Sequence, residues 1–181
     1  MKNIILTGLV VLLITSCSQP DKRYTQESAE IDSYRASLEA YENQDWRSLA
    51  TYYHPDAVII NNVPESEGQN LAEILKTHKE DAAIFNSWRF LDDPETFEMV
   101  VTNDGETWVN YWGVWEGTLK ANNRKYVIPT HSTAQFRDGK IVKELGYWDI
   151  SKLVTDINAM EAAEAQALKA TGGEAVMSQK P

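Results

Sequence analysis

Residues 39–58 read Glu-Ala-Tyr-Glu-Asn-Gln-Asp-Trp-Arg-Ser-Leu-Ala-Thr-Tyr-Tyr-His-Pro-Asp-Ala-Val, and three element boundaries fall inside them. Asp45 stands where an N-cap is wanted, just ahead of Trp46, Leu49, Ala50 and Tyr53, which recur at helical spacing. His54-Pro55-Asp56 ends that short helix, because a proline disfavours helical geometry in the residue before it. Residues 57–60 then make a short apolar strand. Upstream, Ile31, Tyr34, Leu38 and Tyr41 step by three, four and three, which is one stripe on a helix spanning 24–43.

Downstream, 63–69 holds Pro and Gly and reads as a loop. Asn70 with Glu73 has the form of a capping box. The helix it opens carries Leu71, Ile74, Leu75, His78, Ala82 and Phe85 on one stripe. The chain then turns to β: 87–91, 96–102, 107–119, 126–137 and 140–149 read as strands. Their separators are Asp92-Asp93-Pro94, Asn103-Asp104-Gly105, Asn122-Asn123 and Asp138-Gly139, the last a strong two-residue hairpin signal. Residues 151–171 are rich in Ala and Glu and predict a terminal helix, stopped by Gly172-Gly173, with a loose tail beyond.

Three helices ahead of a long antiparallel meander predict an α+β fold, with helices packed on one face of a curved sheet. Gly113 and Gly117 sit where strand 107–119 could bend. A sheet curled around helices makes a cone, and the open end of a cone is a pocket. Six Trp and eight Tyr among 181 residues are enough to line one.

The opening residues speak to location. Lys2 supplies a positive start, 4–14 is mostly apolar but too short to span a bilayer, and Thr15-Ser16 precede Cys17, the sole cysteine. Ile14-Thr15-Ser16-Cys17 resembles the bacterial lipobox, where the signal is cut before a Cys that is then acylated. The expected organisation is a lipoprotein signal over 1–16, a lipidated Cys17 with a polar tether over 17–23, a domain over 24–153, and a terminal helix with its tail over 154–181. The lipid would anchor the chain in a membrane of the cell envelope, outside the cytoplasm. A formal net charge of −10 argues against nucleic acid as a partner.

Residues 39–58, together with Phe136-Arg137-Asp138-Gly139-Lys140-Ile141-Val142-Lys143-Glu144 and Tyr147-Trp148-Asp149, resemble the SnoaL-like, nuclear-transport-factor-2-like superfamily. The resemblance covers roughly 24–153. It implies a cone-shaped sheet with an internal pocket, and chemistry that is usually proton transfer by a buried Asp, Glu or His. Members include polyketide cyclases, ketosteroid isomerases, dehydratases, epoxide hydrolases and non-catalytic binding domains, so the site must decide.

Two residues are candidate acid–base groups. Asp149 follows Tyr147-Trp148 at the end of the last strand, where it could act as a base or simply cap the helix after it. His131 lies mid-strand among hydroxyls, as a general acid–base or as a hydrogen-bonded sheet histidine. A two-residue turn pairs Arg137 with Lys140, which sets His131 opposite Gly146 and Asp149 opposite Ile128, on different faces. They could meet only if a bulge shifts the register.

In strand 107–119, Trp108, Asn110, Trp112 and Val114 share one face, and Val109, Tyr111, Gly113 and Trp115 the other. Candidate ligand contacts are Tyr34, Tyr53, Asn110, Trp112 and Trp148. With aromatics on both faces, one can line a cavity while the other meets a partner, and a homodimer is the expected assembly. His54 and His78 lack metal-ligand spacing, and there is no phosphate loop, nucleotide fingerprint or Gly-x-Ser-x-Gly elbow, so no metal or cofactor is expected. The expected function is binding of a small hydrophobic molecule without catalysis. The alternative is an isomerase, cyclase or dehydratase using Asp149 or His131.

Overall fold

The computed structural model describes residues 23–91 and 96–177. The signal segment, Cys17, the tether up to residue 22, the Asp92-Asp93-Pro94 separator and the last four residues lie outside them. Helix α1 (Ala29–Glu42) starts later than the stripe predicts, because Tyr24–Thr25 pairs as strand β1 and Ser28 caps the helix, accepting from the Ile31 N–H at 3.2 Å. Asp45 caps α2 (Trp46–Tyr52), accepting from the Ser48 N–H at 3.0 Å. Strand β2 (Tyr53–Asn61) takes over there. The 63–69 loop contains one short 3-10 turn and ends in β3 (Gln69–Asn70). Asn70 and Glu73 form the capping box that opens α3 (Leu71–Ile84).

The rest is sheet: β4 (Phe85–Phe90), β5 (Thr96–Val101), β6 (Thr107–Leu119), β7 (Lys125–Arg137) and β8 (Lys140–Trp148). Helix α4 (Ser151–Met177) follows and runs straight through Gly172-Gly173. Each helical glycine costs only about 1 kcal/mol, so glycine weakens a helix without forbidding it.

The eight strands form one curved sheet, ordered β1-β5-β6-β7-β8-β2-β3. β5 pairs with the first half of β6, and β4 with its second half. The meander is antiparallel, as expected, but β2 joins β8 in parallel, so the sheet is mixed. On β6 the interior face is Val109, Tyr111, Gly113, Trp115, Gly117 and Leu119, all buried. Gly113 and Gly117 serve less as bends than as room: a Cβ there would fall 2.0 Å from the Tyr111 hydroxyl or the Trp115 ring.

The two ends of the cone differ. At one end α1 fills the sheet with Ile31, Tyr34, Phe97, Val109, Tyr111, Ala134, Phe136 and Ile141. At the other, Phe85, Trp88, Trp115, Leu119, Tyr126 and Ile128 line the walls, and Leu153, Ile157 and Met160 of α4 pack across them. The hollow lies between.

The β7–β8 hairpin decides what faces that hollow. Asp138 (φ 53°) and Gly139 (φ 71°) make the expected tight turn, with both residues in the left-handed region. Arg137 pairs with Lys140 and Phe136 with Ile141, but Gln135 then pairs with Lys143. Val142 is therefore an extra residue, a β-bulge. Beyond it every partner is shifted by one, and because side chains alternate, every residue changes face. His131 faces Tyr147 rather than Gly146, and Thr130 pairs with Trp148.

Candidate functional site

The hollow has a volume of about 500 Å3, ample for a small organic molecule. Its walls are mostly apolar, with Tyr41, Phe85, Trp88, Phe90, Trp115 and Trp148 among the aromatic residues. His78 lines it from α3, 4.9 Å from the Tyr41 ring and 6.1 Å from that of Trp46, measured between centroids. Burial lowers the His78 pKa to about 4, so it is neutral at physiological pH.

Two carboxyls line the cavity: Asp81 on α3, whose pKa is raised first by burial and then by the Glu80 charge, and Glu144 on β8. The bulge turns Glu144, beside buried Ala134 on β7 and Ile59 on β2, toward the interior. The Tyr53 hydroxyl donates to its Oε2 at 2.5 Å. Burial raises the Glu144 pKa to about 7, and the bond from Tyr53 pulls it the other way. Its side chain keeps some accessible surface, and the cavity it lines accounts for that. The Tyr53 pKa is raised in turn, first by burial and then by the Glu144 charge. Tyr34 lies just behind, fully buried, held edge-on by Phe97, Tyr111 and Phe136. Its hydroxyl donates to Ser132 Oγ at 2.7 Å, and Ser132 lines the cavity.

Asn61, the last residue of β2, lines the cavity as well. Its Oδ1 is buried without a hydrogen-bond partner in the protein. Gly146 pairs with it, and a Cβ on that glycine would come 2.5 Å from Oδ1 and 2.3 Å from the Trp148 ring. Asn62 holds Trp148 in place: its Nδ2 donates to the Trp148 carbonyl at 2.9 Å, and its Oδ1 accepts from the Trp148 N–H at 3.1 Å.

The candidates from sequence divide between inside and outside. Tyr53 and Trp148 line the cavity and Tyr34 backs it. His131 does not face the cavity: it stands on the outer face between Trp112 (4.8 Å) and Tyr147 (6.3 Å), stacked with both, its Nδ1 3.0 Å from the Tyr111 carbonyl. Trp112 is 41 % exposed there, and Asn110 points the same way, donating to Glu98 at 3.4 Å. β6 turns its Tyr111–Trp115 face inward, so Asn110 and Trp112 lie outside the cavity. Asp149 is exposed and accepts from the Ser151 N–H at 2.8 Å, starting α4. That bond holds its pKa below the ordinary value. Asp149 and His131 are not brought together.

Glu144 and Asn61 are the groups that sequence reasoning missed. Regular hairpin alternation puts Glu144 outside, and only the consecutive apolar pair Ile141-Val142 hints at the bulge. Among the described residues, no three His, Cys, Asp or Glu stand together as metal ligands would.

Comparison with known proteins places this geometry. A model of the SnoaL-like domain matches residues 34–144. A protein from Xanthomonas campestris pv. campestris, described as a candidate polyketide cyclase, superposes with a TM-score of 0.59 at 16 % identity, over 72 % of this chain and 98 % of that one. IdmH from Streptomyces antibioticus, described in the same way, gives 0.56 at 20 % identity, over 71 % and 98 %. A protein of unknown function from Burkholderia pseudomallei, described as NTF2-like, gives 0.56 at 15 %, over 71 % and 97 %. At these identities the likeness speaks to the fold alone. No curated protein matches the chain.

Proposed function

The chain belongs to the SnoaL-like domain family, and from that premise we propose that its cavity binds a small, mostly apolar organic molecule and that Glu144 moves a proton on it. The supporting observation is the Glu144 carboxyl, set among aromatic walls, held by Tyr53 at 2.5 Å, with its pKa raised to about 7. Near neutral pH such a carboxyl is present in both forms, the condition for a general acid–base. As carboxylate it takes a proton from carbon beside a carbonyl. The C–H electron pair becomes a C=C bond, the C=O π pair moves onto the carbonyl oxygen, and the proton ends in a new O–H bond on Glu144. Returning the proton at another atom completes an isomerisation. Ser132, which accepts from Tyr34, keeps its own hydroxyl hydrogen for the ligand oxygen.

The expectation of binding without catalysis came from the lack of a paired acid–base group. Tyr53 and Glu144 form such a pair, in place of Asp149 and His131. The test is hydrogen–deuterium exchange into flat cyclic ketones in heavy water. The wild-type protein exchanges the proton beside the carbonyl, and Glu144→Gln slows this by about a hundredfold or more, with binding of the ketone retained. Equal exchange in both proteins contradicts the proposal.

Two proposals concern assembly and place. Lipid attachment at Cys17 would tether the domain in the cell envelope; incorporation of labelled palmitate that survives Cys17→Ser would refute it. A homodimer would cover the outer face of β6–β8, where Trp112 and Tyr147 are exposed. Sedimentation showing only monomers at high concentration would refute that.

A further inference from the structure

Asn61 has a feature the proton-transfer reading does not use. Its amide oxygen is buried and has no partner in the protein. Proteins satisfy buried polar groups, so an orphan amide at a cavity wall marks a place where something else supplies the hydrogen bond.

Its position relative to Glu144 is fixed by the parallel pairing of β2 and β8. Ile59 lies beside Glu144, and Asn61 beside Gly146. Asn61 and Glu144 thus share the inner face, about 7 Å apart along the strands. Three features hold the amide there. Gly146 leaves the space it occupies, the Trp148 ring closes over it, and Asn62 clamps the Trp148 backbone from both sides. Neither Gly146 nor Trp148 gives Oδ1 a hydrogen.

We propose that Asn61 is a specificity residue: its amide oxygen accepts from a hydroxyl or N–H of the ligand, at a second position set back from the group that meets Glu144. The ligand class is then a flat apolar molecule with two polar substituents, one of them a hydrogen-bond donor. This rests on the reading of the cavity as a small-molecule site, but not on catalysis by Glu144.

The experiment compares full-length wild type with Asn61→Leu, an apolar replacement of similar size. The probes are naphthol and a set of dihydroxynaphthalene isomers, with binding followed by tryptophan fluorescence. In wild type at least one dihydroxy isomer binds about tenfold tighter than naphthol. In Asn61→Leu that advantage, taken against naphthol in the same protein, falls to about threefold or less. Thermal unfolding of the unliganded proteins supplies a second reading. Removing an unsatisfied buried amide leaves Asn61→Leu at least as stable as wild type, whereas a structural asparagine would be missed. The proposal is overturned if no dihydroxy isomer gains over naphthol, if the gain persists in Asn61→Leu, or if Asn61→Leu melts well below wild type or does not fold. Failure of every probe, naphthol included, to bind wild type overturns the reading of the cavity as well.

Discussion

His131 and Ser132 are chain neighbours in β7, and they face different surroundings. Across the outer face run Trp112, His131 and Tyr147, directly paired and stacked, with Trp112 and Tyr147 exposed. Across the inner face run Tyr111, Ser132 and Gly146, with Glu144 and Trp148 to either side of that glycine. The outer row carries the residue most often associated with acid–base work. The inner row carries the carboxyl whose environment equips it for that work. What sets Glu144 and Trp148 inward and Tyr147 outward is the register beyond a single extra residue, Val142. The difference teaches that the chemistry of a side chain here follows from strand parity before it follows from residue type.

The strongest way to break this comparison is to remove the bulge. Deleting Val142 removes the extra residue but leaves Lys143 opposite Gln135 and Glu144 opposite Ala134, so the faces of β8 are kept and Glu144 stays inside. The strand loses the local twist of the bulge and the packing of Val142, and we expect a loss of about 3 kcal/mol in denaturant unfolding, with the Glu144 carboxyl still inside. A deletion variant whose Glu144 carboxyl titrates in the ordinary carboxylate range would show that the register beyond Val142 does not hold it inside.

A smaller effect sharpens it. Glu144 has its pKa raised from 4.5 to about 7 in the folded chain. The folded state therefore holds its proton over a range where the unfolded chain has released it. Below pH 4.5 the group costs nothing, and stability falls as pH rises from there through about 7. Glu144→Gln removes that dependence, so at pH 8 it should be more stable than wild type by about 1–3 kcal/mol, and near equal at pH 4. Chemical denaturation at both pH values reads the two proteins.

The smallest effect belongs to Asp149. Its carboxyl is held below the ordinary value of 3.8 by the Ser151 N–H. Its contribution is therefore present at neutral pH and lost as pH falls through the folded value. Asp149→Ala should lower the melting temperature slightly at pH 7, less so in acid, and leave ketone exchange untouched. A collapse of exchange in Asp149→Ala would return that residue to the site.

Much of the fold was legible because it rests on local signals. The Asp45 cap, the Asn70–Glu73 box and the Asp138-Gly139 turn each act within a few residues, and each appears where its chemistry predicts. Strand β6 could be bounded from its composition for the same reason. The parallel joining of β2 to β8 has no local signal, since it brings together residues some 85 positions apart, such as Asn61 and Gly146. The site was half legible. Tyr53 follows from the helical stripe, but the inward face of Glu144 and Trp148 follows only from register beyond the bulge. The inference that His131 and Asp149 could meet only through a bulge was sound in form. The bulge exists, yet it shifts the strand so that Glu144, and neither of those two, enters the cavity.

The most direct test of the account is an NMR titration of the Glu144 side-chain carboxyl, assigned by comparison with Glu144→Gln, in wild type and in Tyr53→Phe. The account predicts a wild-type midpoint of about 7, moved higher in Tyr53→Phe because the hydroxyl that favours the charged form is gone. A midpoint in the ordinary range near 4.5, unmoved by Tyr53→Phe, would mean that the carboxyl faces solvent, and the inner-face chemistry argued from Val142 would fall with it.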